Sequence, residues 1–171
     1  MQPLRRFRFA FALVITLSCL APLASAHAQT TPAASDRTAR NGAIVRAAFD
    51  DWANGGNVFR VLAPDITWTI AGSGPVAGTY HGIDDFTERA SRPLVSRLAA
   101  PLRPVVHNIW AVDDTVFIRF DASSTTTAGH PYNNQFVWIF RMRDGLVVEA
   151  EAFLDLIAYQ AVIDNNAPRQ R

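Results

Sequence analysis

From Asp36 to Asn54 the apolar residues Ile44, Val45, Ala48, Phe49 and Trp52 recur at the three-and-four spacing of a helix with one buried face. The run Asn54-Gly55-Gly56-Asn57 stops it. A second helix is predicted from Ile83 to Leu98, with Asp84 and Asp85 in its first turn, where the positive end of the helix dipole favours carboxylates. Between the two, residues 65–72 (DITWTIAG) alternate as a strand, and residues 73–82 (SGPVAGTYHG) have the Gly and Pro content of a tight excursion or short hairpin. After Pro101 the period changes to two. Four runs rich in Val, Ile, Phe and Trp follow, at 103–112, 115–126, 131–142 and 146–157, separated by DD, AGH and RDG. These separators are hairpin turns, so the second half reads as an antiparallel meander. Two helices and a strand followed by a curled sheet imply an α+β domain with the helices on one face.

Strand parity then sorts the side chains. A three-residue RDG loop pairs Met142 with Leu146, sets Trp138 opposite Ala150, and leaves Glu149, Glu151 and Asp155 on the other side. A two-residue Asp-Gly turn shifts the register by one and swings those carboxylates inward. The neighbouring hairpin favours the first choice: turning at Asp113 and Asp114 pairs Ile109 with Ile118, His107 with Phe120 and Val105 with Ala122. With a three-residue AGH loop, Phe120 abuts Trp138. One face then carries His107, Ile109, Ile118, Phe120, Phe136, Trp138, Ala150 and Ala152, and the other Arg119, Asp121, Arg141, Glu149 and Glu151. Only the first suits a core or pocket, because unpaired charges cost several kcal/mol to bury. The outer acids are expected to pair with Arg119 and Arg141.

Composition changes the picture at the N-terminus. A basic leader (MQPLRRFR), an apolar run (FAFALVITLSCLAPLA) and small residues in ASAHA predict an export signal over residues 1–28, cleaved after Ala26 or Ala28. The apolar run is short for an anchoring span. Residues 29–35 read as a flexible spacer, 36–160 as the domain and 161–171 as a C-terminal tail. The expected location is periplasmic or secreted, with no stable membrane association after cleavage. The one cysteine, Cys19, leaves with the leader, so no disulfide is available and the core alone must hold the fold. All sixteen basic residues are arginine; losing Arg5, Arg6 and Arg8 leaves thirteen against fifteen acids, moving the formal charge from +1 to −2. Such a surface argues against a nucleic-acid partner.

The element order, together with AAFDDWANGGNVFRVLAPDITWTIAGSGPVAGTYHGIDDF and YNNQFVWIFRMRDGLVVEAEAFLD, resembles the SnoaL-like polyketide-cyclase and ketosteroid-isomerase-related branch of the nuclear transport factor 2-like superfamily over residues 40–160. The resemblance implies a cone-shaped barrel in which a curved antiparallel sheet wraps the N-terminal helices around one pocket. It also implies a homodimer through the outer sheet face, where Trp110, Val137 and Ile139 interleave with the charges. Ketosteroid isomerase belongs to the same superfamily; its Asp base aligns with Ile70, its Tyr donor with Phe49 and its protonated Asp with Trp138. All three positions are apolar here, so that carboxylate mechanism is not available.

Chemistry on the inner face is sparse. His107 is the candidate acid or base, since imidazole alone exchanges protons near neutrality without perturbation; the competing reading is a core histidine bonded to backbone or water. Trp68, Ile70, Tyr80, Phe120, Asn134, Phe136 and Trp138 are the candidate ligand-binding residues. Asn134 either orients a ligand oxygen at the cavity mouth or satisfies a strand-end amide; Tyr80 either closes the mouth or is an exposed turn residue. His81, His107 and His130 lack metal-site spacing, and AGSGPVAG lacks the Lys of a phosphate loop, so neither metal nor cofactor is expected. The functional expectation is an exported domain that binds a small, mainly apolar, even polycyclic molecule, extended to cofactor-free cyclase, isomerase or dehydratase chemistry if His107 acts. The alternative is a structural or accessory homodimer whose cavity is filled by its own side chains.

Overall fold

A computed structural model describes residues 32–170. The predicted export signal and the first part of the spacer lie outside the described residues. The chain runs through α1 (Pro32–Ala53), a 3₁₀ turn (Val58–Val61), β1 (Leu62–Ile70), β2 (Gly78–His81), α2 (Ile83–Phe86), a π-helical turn (Thr87–Ser91) and α3 (Arg92–Val95). It continues through β3 (Arg103–Val112), β4 (Thr115–Thr125), β5 (Pro131–Arg143), β6 (Leu146–Leu154) and α4 (Leu156–Asn165). The helix predicted at 83–98 is thus a short succession of α, π and α turns. The six strands form one open, mixed sheet in the order β2-β1-β6-β5-β4-β3, and the fold is the α+β cone expected. One pairing differs from the all-antiparallel expectation: β1 lies parallel to β6.

Helix α1 buries Val45, Ala48 and Phe49 against the sheet, as its apolar stripe predicts. Its first half is fastened to the β3–β4 turn. Arg37 pairs with Asp113, the Asp113 amide donates to Thr38 Oγ1 at 2.8 Å, and Asn41 Nδ2 donates to the Asp113 carbonyl at 2.9 Å. The helix starts at Pro32, so residues 32–35 are its first turn and not spacer.

The register of the meander answers the question of the carboxylates. Asp144 (φ 53°) and Gly145 (φ 84°) form the two-residue turn between Arg143 and Leu146, the turn that by itself would swing the acids inward. A bulge at Val148 then adds one residue to β6 and restores the parity, so that Arg141 faces Glu149, Phe140 faces Ala150 and Trp138 faces Ala152. The β4–β5 loop is longer than three residues, with Thr125 opposite Pro131, so Phe120 pairs with Phe136 and Ile118 with Trp138. Both shifts relative to the expected register are even. The inner face therefore keeps its predicted membership, except that His107, and Val105, which pairs with Asp121 and not with Ala122, turn outward.

The predicted run 146–157 ends at Leu154. Asp155 caps α4, its side chain accepting from Ile157 N and Ala158 N at 2.9 and 3.0 Å. Tyr159 and Val162 of α4 are buried, so residues 156–165, divided between domain and tail in the sequence reading, form a core helix.

Candidate functional site

Aromatic residues from three directions enclose one cavity of about 250 Å³. The sheet contributes Trp68 and Ile70 from β1, Phe136 and Trp138 from β5, and Ala152 and Leu154 from β6. The helical side contributes Trp52 from the end of α1, Phe59 from the 3₁₀ turn, and Phe86, Ala90 and Leu94 from the α2–α3 segment. Tyr159 of α4 adds to the wall. The local sequence explains why a hollow forms here. Gly55 (φ 97°) breaks α1 next to Trp52, and Asn57 Oδ1 accepts from Phe59 N at 2.9 Å, so the chain turns away before it can fill the space.

The rings hold one another. Trp68 stacks on Phe86 with centroids 4.1 Å apart and meets Trp138 edge-on at 5.0 Å. Trp138 also stacks with Trp52 at 5.9 Å. Among the described residues that line the cavity none carries a charge, and Tyr159 is the one with an ionisable side chain. Burial raises its phenol well above the usual tyrosine range, and its hydroxyl donates to the Ala90 carbonyl at 2.8 Å. Ala90 belongs to the π-helical turn, a place where the backbone ladder is interrupted.

Of the eight candidates read from the sequence, Trp68, Ile70, Phe136 and Trp138 line the cavity. Phe120 is fully buried behind it, against Phe49 and Phe136. Tyr80 is buried rather than exposed, and its hydroxyl donates to the Val76 carbonyl at 2.6 Å, away from the cavity wall. Asn134 is structural. Its amide donates to Tyr132 Oη and the Asp155 carbonyl, both at 2.9 Å, and its oxygen accepts from the amides of Gln135 and Asp155 at 2.7 and 2.9 Å.

His107 is displaced altogether. A bulge in β3 leaves it unpaired between Val106, which faces Phe120, and Asn108, which faces Arg119. Its side chain is 43% exposed on the outer face, with Nε2 2.9 Å from Asp121 Oδ2, while Arg119 holds the other Asp121 oxygen at 2.5 Å. The His107 contact first, and the Arg119 contact second, hold the Asp121 carboxyl below the usual carboxylate range. Arg119 and Asp121 of this cluster line a groove of about 700 Å³ that shares Phe136 and Leu154 with the wall of the aromatic cavity.

Trp52, Phe59, Phe86 and Tyr159 also line the wall and were not among the residues expected there. Trp52 closes the apolar stripe of α1, and Leu156, Tyr159 and Val162 fall at helical spacing just after the capping Asp155; both signals were present.

The family model for the SnoaL-like domain matches residues 43–150. No curated protein matches the chain. Among solved structures, a putative SnoaL-like polyketide cyclase from Jannaschia sp. CCS1 is 19% identical with a TM-score of 0.60, the match covering 77% of this chain and 96% of that one. AclR, a putative hydroxylase from Streptomyces galilaeus, is 17% identical with a TM-score of 0.59, over 77% of this chain and 87% of that one. TerC, co-crystallised with polyporic acid, is 21% identical with a TM-score of 0.59, over 74% of this chain and 99% of that one. At such identities the likeness is one of fold.

Proposed function

The chain belongs to the SnoaL-like domain family, and from that premise we propose that it binds one small, neutral, mainly apolar molecule in the aromatic cavity. The observation that carries this reading is the combination of a real void with a wall free of charge. An apolar cavity of about 150 Å³ takes up benzene, so about 250 Å³ corresponds to roughly ten non-hydrogen atoms held within the walls, the size of a bicyclic group. The co-crystallisation of TerC with polyporic acid supports a ligand-holding role for a fold of this kind.

Catalysis by the residues of the cavity lacks a base. Among the described residues no His, Asp, Glu, Lys or Cys lines it, and the Tyr159 hydroxyl already donates to Ala90. The acid–base extension that rested on His107 falls with that residue's outward position. Binding without turnover is the function proposed, outside the cytoplasm as the N-terminal leader indicates.

The test is a titration with indane followed by the fluorescence of Trp52, Trp68 and Trp138. A saturable change accompanied by a rise in melting temperature is expected; an unsaturable or absent response removes the binding reading.

A second copy is proposed as the partner of the outer sheet face. Val105 and Trp110 of β3 and Phe153 of β6 are 59%, 54% and 43% exposed there, beside the Arg141–Glu149 pair. Replacing Phe153 with Glu should convert a dimer to a monomer in sedimentation velocity, and an unchanged sedimentation coefficient would count against it.

A further inference from the structure

We infer that the ligand enters and leaves between the Gly55–Asn57 turn and helix α3, and that the C-terminal segment, residues 166–170, is a strap that holds the α3 edge of this portal in place. This rests on the binding reading above and goes beyond it, because it assigns the part of the chain that sets how fast the cavity fills and empties.

Exposure marks the portal. Most of the wall is buried or half-buried; its exposed members are Gly55 and Asn57 on one edge and Val95 and Pro101 on the other. The first edge is fixed. Asp51 accepts from the amides of Gly56 and Asn57 at 2.8 and 3.1 Å, and Arg103 reaches across to the Ala53 carbonyl at 2.7 Å.

The second edge depends on the strap. Helix α3 is four residues long, too short to be stable by itself, and it follows the π-helical turn, where the backbone ladder is interrupted. It is anchored at both ends: Ala90 by the Tyr159 hydroxyl, and Leu98 by its bridge to Thr126. Between those anchors it is held by the burial of Leu94 and by the strap. The Arg169 amide donates to the Ser96 carbonyl at 2.8 Å, and its guanidinium donates to the Val95 carbonyl at 3.3 Å. Arg97 donates to the Pro93 and Asn166 carbonyls at 2.8 and 2.9 Å, and Thr127 Oγ1 ties the strap down by donating to the Ala167 carbonyl at 2.8 Å. The strap does not border the cavity; it acts through Ser91 and Val95, which line both the cavity and the groove on the strap side. Freeing it makes local opening of the α3 edge cheaper without touching the groups that hold the ligand.

Stopped-flow tryptophan fluorescence reads the association of indane on mixing and its release on dilution, for the wild type and for Arg169→Pro, which removes both Arg169 bonds. Both rate constants should rise by roughly two- to tenfold, the worth of one hydrogen bond, and the dissociation constant should stay within about twofold, since a portal speeds both directions alike. Hydrogen exchange at the Ser96 and Arg97 amides should quicken in the same variant, and Val95→Trp, which narrows the portal, should slow both rates. Unchanged rates and protection in Arg169→Pro, or a rise in release alone, overturn the strap while the binding reading stands. If indane does not bind the wild type, both fail. Should Arg169→Pro not fold, Thr127→Val, which loosens the strap from the β4–β5 loop, decides: faster exchange in both directions supports the inference, and unchanged rates overturn it.

Discussion

Filling the cavity from within is the most direct measure of whether it is empty space. Ala152 is 2% exposed, lies between Trp138 of β5 and Ile70 of β1, and borders the void. Ala152→Leu adds three carbon atoms. Burying them in unfilled space gains about 2.4 kcal/mol at about 0.8 kcal/mol per methylene, less roughly 0.5–1 kcal/mol for the rotamers that leucine loses. The net gain is about 1.5 kcal/mol, which for a domain of this length raises the melting temperature by about 3–6 °C. Ala63 supplies the contrast: it is 4% exposed and does not border the cavity. There the same substitution overpacks the structure and costs about 1–3 kcal/mol. Thermal unfolding followed by circular dichroism reads both, and an indane titration reads the occupied volume. Ala152→Leu should melt higher than wild type and lose indane binding, while Ala63→Leu melts lower. A fall in melting temperature for Ala152→Leu as large as that for Ala63→Leu would refute the void and, with it, the function built on it.

Three further outcomes follow from the contacts. His107→Ala should leave indane affinity and melting temperature close to wild type, because the imidazole sits on the exposed face; a lost binding isotherm would contradict its placement. The Asp121 carboxyl, held low by His107 and Arg119, should titrate by NMR below the ordinary carboxylate range, and each of His107→Ala and Arg119→Ala should bring it back up. Because its folded pKa is depressed, its contribution to stability is present above the unfolded value and fades as pH falls through the folded one. An unmoved midpoint in both variants would show that those contacts do not form. Asn134→Ala strands the Asp155 amide and carbonyl where β6 passes into α4, so urea unfolding should show a loss of about 2–3 kcal/mol; a loss below about 0.5 kcal/mol would mean that water replaces the amide at no cost.

Much of this molecule was legible in its alternation and turns. Period two after Pro101 determined four strands and the membership of their two faces, and the stripe ending at Trp52 determined which side of α1 is buried. Face membership survived errors in register because the net shifts were even: the β4–β5 loop is longer than expected by two residues, and the one-residue shortening of the β5–β6 turn is offset by a one-residue bulge. What local pattern does not determine is where a strand takes an extra residue. The bulge at His107 turned the one imidazole out of the interior, and the bulge at Val148 cancelled the inward swing that the Asp-Gly turn would have caused. Only the tertiary structure decided, likewise, that the aromatic rings stop short of filling the cone. A void is the difference between the volume that the elements enclose and the volume of the side chains placed in it, and the first of those exists only once α1, α4 and the curved sheet have met.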